Sequence, residues 1–275
     1  MRWTTIGREI LANALMSVPV IRQVRIRAGR TIGYADVERF RSQWVDLERE
    51  LGDLTGKRIV ELGPGDVIPM AWEALKRGAS SYVAIDRFGG SIANPGARGL
   101  YETLGAPPDF PSSYLKSGRV SYRVAAAEDF DIGDPPADVV FSFDVLEHVS
   151  SPTEVFRCAY RALRPGGRMV HKVDLAPHAQ WSHGQANPLE FLVVPDALWS
   201  LMSTHRGLPN RLRAPDFRRS LEESGFRVDR FEAQKRFVSG DVDAIRSRLA
   251  PRFRLMDTED LLPMHLLIVA TRPGA

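Results

Sequence analysis

The 275-residue chain is 44% hydrophobic and 26% charged, an ordinary globular composition that argues against disorder and collagen-like repeats. Its net charge of +3 is too small to imply nucleic acid, and its one cysteine, Cys158, excludes an intrachain disulfide and a Cys-rich zinc site. No uninterrupted apolar run approaches the roughly 20 residues of a membrane helix, so the expectation is a cytoplasmic protein of one or two domains without a transmembrane segment.

Residues 1–50 read as helical. Ile10 to Val20 imitates a signal-peptide core, but Arg8 and Glu9 precede it and no small-x-small cleavage site follows. From Tyr34 to Leu51, Val37, Phe40, Trp44, Leu47 and Leu51 recur at spacings of three and four, which makes one apolar helix face that stops at Gly52. Strands and helices then alternate. Strands are predicted at 58–62, 82–85, 120–125, 138–143 and 168–173, with helices at 67–76 and 153–163. This alternation implies a parallel sheet covered by helices on both faces. Residues 174–215 break the pattern and read as an inserted lid with one helix at 196–203. A helix at 216–224, a connection with a helix at 241–249, and strands at 226–231 and 265–271 complete the chain.

The first chemical signal is Ile59-Val-Glu61-Leu-Gly63-Pro-Gly65-Asp66, a strand running into a Gly-rich turn and then a helix. Glycine allows a ligand to approach the backbone, and the helix start offers free N–H groups. Asp86 ends the next strand about twenty residues on, where a carboxylate accepts hydrogen bonds from ribose hydroxyls. A strand-ending Asp in a turn is the plainer alternative. A dinucleotide-binding oxidoreductase would need glycine at position 68, which is Ile68.

Four blocks in order resemble the class I S-adenosylmethionine-dependent methyltransferases. They are Glu61-Leu-Gly63-Pro-Gly65, Asp86, Asp138 to Val149, and Leu163-Arg-Pro-Gly-Gly167-Arg-Met-Val. The resemblance is strong over about 50–175 and weak over 216–272. It implies a doubly wound α/β fold, a seven-stranded sheet of order 3-2-1-4-5-7-6 with strand 7 antiparallel. Residues 1–50 would form an N-terminal helical cap, 51–173 the cofactor-binding core, 174–215 the lid, and 216–275 the completion of the sheet. It implies S-adenosylmethionine as cofactor and S-adenosylhomocysteine as product. Glu61, Gly63, Gly65, Asp86, Arg87, Glu128, Phe143 and Asp144 would hold the cofactor. Two positions depart from the common family pattern: Val67 replaces a third glycine, and Ala126 replaces an acid that often touches adenine, leaving Glu128, Asp129 or backbone groups alone to take its place.

Methyl transfer to a hydroxyl needs alignment, exclusion of water and a base. Histidine suits that work near neutral pH. His148, just past the fourth strand, and Asp174, His178 and His183, at and beyond the end of the fifth, are the candidates for acting on the acceptor. A helix-start histidine and a lid held by polar contacts are the structural alternatives. Asp144, Glu147 and His148 also resemble the metal-binding trio of certain quinone O-methyltransferases. Glu147 reads as a structural anchor instead, so no metal is assigned. Charge is uneven: residues 1–30 carry six Arg and one Glu, and residues 204–219 five Arg and one Asp. The second patch, around Arg206, Arg211 and Arg213, is either a solvated loop or a contact for an acceptor bearing anionic groups. Arg22 to Arg30 suits weak peripheral contact with anionic lipid. The expected function is methylation of a small or medium acceptor, an oxygen of a metabolite, glycan or natural product. Protein or RNA methylation, or cofactor binding without catalysis, are the alternatives.

Overall fold

In the computed structural model, residues 3–18, 20–21, 24, 37–88, 97–178, 187–205 and 208–274 are described. Helix α1 spans Trp3–Ser17 and α2 spans Val37–Leu51. The predicted periodicity of α2 is its buried face: Phe40, Trp44, Leu47 and Leu51 are nearly inaccessible and join one core cluster.

The sheet begins with β1 (Arg58–Leu62), followed by α3 (Pro69–Lys76) and β2 (Ser81–Asp86). Helix α3 starts two residues later than predicted because Pro69, which lacks an N–H, occupies the first turn. Two short helices that periodicity does not reveal, α4 (Arg98–Thr103) and α5 (Ser112–Lys116), lead to β3 (Val120–Val124). Strand β4 (Ala137–Phe143) leads to α6 (Pro152–Ala162). The Ser151 side chain caps α6 by accepting from the Glu154 amide. Strand β5 runs from Leu163 to Asp174, longer than predicted, because Leu163 pairs with Ala137 ahead of a bulge at residues 164–167, after which Arg168 pairs with Val139. Then come α7 (Asp196–Ser203), α8 (Ala214–Glu223), β6 (Arg227–Arg236), α9 (Ser239–Ile245), α10 (Pro251–Arg254), α11 (Thr258–Leu261) and β7 (Pro263–Thr271).

The strand order is β3-β2-β1-β4-β5-β7-β6, as expected. Strands β1 to β5 pair in parallel, and β7 is antiparallel to both β5 and β6. One core packs α2 and α3 on one face of the sheet, and a second packs α6 and α8 on the other. Burial of both faces explains why β1 and β4 show no polar–apolar alternation and are buried almost throughout. It also leaves only the strand ends for polar chemistry. A third cluster joins Leu189, Phe191, Trp199 and Met202 to Phe237, Val242 and Phe253, so described residues 187–205 pack on the segment between β6 and β7.

Candidate active site

The turn after β1 is built by two glycines. Gly63 and Gly65 have φ of 71° and 74°, in the left-handed region that favours glycine. A Cβ on Gly63 would lie 2.4 Å from Cγ2 of Val145, so the loop after β4 leaves no room for a side chain. Asp86, at the end of β2, holds the turn: its Oδ2 accepts from the Gly65 amide at 3.0 Å, and its Oδ1 from the Phe88 amide at 2.8 Å. Tyr122 donates to the Gly65 carbonyl at 2.9 Å. Glu61 is buried below the turn and accepts from the Tyr82 hydroxyl at 2.7 Å. Burial, with the Glu61 charge adding, pushes the nearby Tyr101 phenol up to about 12. Arg87 is exposed, with its guanidinium 5.9 Å from the Phe88 ring.

These groups fit the adenosine end of S-adenosylmethionine. A carboxylate has about four lone-pair positions, and two backbone amides take two of those on Asp86. Two remain for vicinal ribose hydroxyls. Glu128 is placed differently: its Oε1 accepts from both the amide and the hydroxyl of Ser150, at 2.7 and 2.9 Å, and so ties the loop after β3 to the loop after β4.

The second half of the site lies at the ends of β4, β5 and β7. Phe143 closes β4 among core aromatics. Asp144 follows it with φ of 54°, its amide donating to the Lys172 carbonyl and its carboxylate accepting from Gln43 of α2 at 3.4 Å. Strain at a non-glycine residue belongs where the surroundings dictate a side-chain direction. Glu147 is buried with neither oxygen in a hydrogen bond. Burial first, then the Asp144 charge, holds its carboxyl well above the usual range; the approaching amides of Glu147 and Asp174 offset this only in part. Asn210 fixes the loop by donating to the carbonyls of Leu146 and Val149 at 2.8 and 3.0 Å.

The structure brings together three of the four predicted acceptor-side residues. The His148 and His178 rings meet edge to face, centroids 4.8 Å apart. His178 Nε2 lies 3.9 Å from Asp174 Oδ2. His183 lies outside the described residues. A residue the sequence reading missed completes the cluster: His265 of β7, opposite Asp174 in the antiparallel register, with Nε2 3.7 Å from Oδ1. Burial lowers the pKa of both His178 and His265, and Asp174 opposes this in both. Glu147, His148 and His178 also present ligand-type atoms within 4.8 Å of one another.

The second basic patch is corrected by the structure. Arg211 and Arg213 are buried, not presented to an anion. Arg211 donates to the carbonyls of Phe191 and Val194 and pairs with Asp196, its guanidinium 4.5 Å from the Trp199 ring centroid. Arg213 donates to the carbonyls of Leu175, Leu261 and Pro263. Both tie loops together by satisfying main-chain acceptors, and burial lowers their pKa to about 9 and about 10. Arg206 lies outside the described residues.

A parallel sheet closed by an antiparallel β7, with a Gly-rich turn after β1 and an acid after β2, is the fold of the class I S-adenosylmethionine-dependent methyltransferases. The chain belongs to the methyltransferase-domain family, whose model matches residues 37–230. It is similar to a ubiquinone biosynthesis O-methyltransferase of Pseudomonas savastanoi pv. phaseolicola, 31% identical over 136 residues, 49% of this chain and 50% of that protein. It is also similar to a tRNA U34 carboxymethyltransferase of Methylococcus capsulatus, 30% identical over 46% of this chain and 35% of that one. The chain thus spans half or less of the length of these curated relatives. A solved S-adenosylmethionine-dependent methyltransferase from Mesorhizobium loti shares the fold, with a TM-score of 0.51 and 22% identity, over 84% of this chain and 97% of that one.

Proposed function

We propose that this chain transfers a methyl group from S-adenosylmethionine to a hydroxyl oxygen of a small acceptor, with His178 as the base. The observation that carries this reading is the cluster of His148, His178, Asp174 and His265 at the strand ends next to the Gly63–Gly65 turn. Bound S-adenosylmethionine supplies an electrophilic methyl group and leaves as a neutral thioether. Asp86 and the turn orient its adenosine end, and Glu61 sits beneath. Asp174 faces one nitrogen of His178 and leaves Nδ1 to take the acceptor's proton. The acceptor oxygen gains a bond to carbon as its O–H bond breaks, so charge is conserved. Burial favours the neutral imidazole, the form a base requires. The O-methyltransferase among the relatives supports oxygen as the acceptor atom.

The test measures S-adenosylhomocysteine formation with catechol and 3,4-dihydroxybenzoate as probes. In His178→Gln, kcat should fall about a hundredfold or more while cofactor affinity stays unchanged. Retention of near-normal kcat would remove His178 as the base. Failure of a cofactor-binding wild-type protein to methylate any hydroxyl would overturn the oxygen reading.

One observation favours a second reading. The buried Glu147 carboxylate, without a hydrogen bond and 3.9 Å from His148 Nε2, forms with His148 and His178 a donor set suited to a divalent cation. Magnesium or manganese should then raise the thermal midpoint of the wild-type protein but not of Glu147→Gln. Equal shifts, or none, would exclude it.

A further inference from the structure

Helix α1 is amphipathic in the wrong sense for a solvated surface helix. Its inward face carries Ile6, Glu9 and Asn13, all buried. Asn13 fixes the helix to α7: its Nδ2 donates to the Leu201 carbonyl at 2.9 Å, and its Oδ1 accepts from the His205 amide at 2.7 Å. The outward face carries Leu11, Ala14 and Leu15, with Leu11 63% and Leu15 48% exposed, and Val18 just beyond the helix is exposed too. Positions 11 and 15 share one helical face. Leu201 of α7, 60% exposed, lies on the helix that α1 packs against. Val20, Ile21 and Val24 continue the exposure. Six of the twelve exposed large hydrophobic side chains among the described residues thus fall between positions 11 and 24. Such a concentration marks an interaction surface.

Charge selects the partner. The first 30 residues carry six Arg against one Glu. That Glu, Glu9, is turned inward and buried, whereas its neighbour Arg8 points out. No other acid occurs before Asp36. A two-fold contact between copies would set two such positive segments against each other. An anionic surface complements them.

We propose that the outward face of α1, extended by Leu201, binds an anionic phospholipid bilayer peripherally, with its leucines and valines entering the headgroup boundary. None of these surface residues is assigned to the methyl-transfer site, and the proposal stands or falls independently of that reading.

The experiment is vesicle co-sedimentation of the full chain, with phosphatidylcholine alone and with about 30% phosphatidylglycerol. The wild-type protein should bind the anionic vesicles at least about tenfold more tightly, and about 0.5 M salt should weaken that binding. Leu11→Gln/Leu15→Gln, and separately Leu201→Gln, should each weaken it several-fold with an unchanged thermal midpoint, because these side chains are exposed. No vesicle binding, equal binding to neutral vesicles, or unaltered binding by both variants would overturn the proposal. So would a dimer seen by light scattering without lipid and lost in the leucine variant, which would identify a second copy as the occupant.

Discussion

Replacing Asp86 with alanine tests the cofactor half of the site most directly. Its carboxylate has two jobs in the structure. It accepts from the Gly65 and Phe88 amides at 3.0 and 2.8 Å, and in the proposed reading its remaining lone pairs would take the ribose hydroxyls. Hydrogen bonds to a charged group contribute about 1.5–3 kcal/mol each. Two at the lower figure amount to about 3 kcal/mol, or roughly a hundredfold in Kd. Loss of the amide bonds adds a looser turn, at a cost of about 1 kcal/mol in stability, because solvent can reach the freed N–H groups. Asp86→Asn keeps one acceptor oxygen, so it should lose affinity by about tenfold only. Calorimetric titration with S-adenosylhomocysteine reads binding without turnover. An Asp86→Ala protein that is folded and binds within about threefold of wild type would refute the ribose assignment.

Further outcomes follow from single contacts. Gly63→Ala introduces a methyl group 2.4 Å from Val145 Cγ2 at φ of 71°, so it should lose stability and cofactor affinity together. Adding Val145→Ala should restore part of the stability, since it relieves the clash but not the backbone strain; no recovery would place the defect elsewhere. His171, fully buried against Ser142, has its pKa lowered by burial to about 3. The unfolded histidine binds a proton below about 6.5 and the native one does not, so its contribution is complete above that pH and is lost as pH falls toward 3. By pH 5 the loss should reach about 2 kcal/mol, and His171→Asn should unfold with a correspondingly weaker acid dependence in denaturant titrations. Parallel pH profiles for both proteins would contradict the neutral buried imidazole.

Much of this architecture is legible in the chain because local signals agree with their tertiary use. The spacing of Phe40, Trp44, Leu47 and Leu51 is that of a helix whose one face is buried, and α2 buries that face. The strand at 58–62 and the helix at 196–203 match the predicted bounds, since turn residues and Pro195 punctuate them. What escapes is what depends on register or on burial. His265 looks like an ordinary strand residue until β7 pairs with β5 and sets it opposite Asp174. Gln43 is hidden in a helix whose apolar face draws attention instead. Arg211 and Arg213 read as a surface patch because arginines on loops usually are exposed; here they satisfy carbonyls that three separate segments leave without partners.

The electrostatic surroundings distinguish the two histidines that flank Asp174. Both lie under 4 Å from that carboxylate, at 3.9 Å for His178 and 3.7 Å for His265. His265 also feels Lys235 and Lys172, whose charges disfavour its protonation. The other charges acting on His178 are acidic: Asp174 and, beyond it, Asp144. Burial is the largest influence on both rings and keeps each neutral. Only one of the two imidazoles can draw fully on the single carboxylate between them. In the proposed reaction His265 would then stay the neutral neighbour of Asp174, and His178, in ring contact with His148, would take up the acceptor's proton.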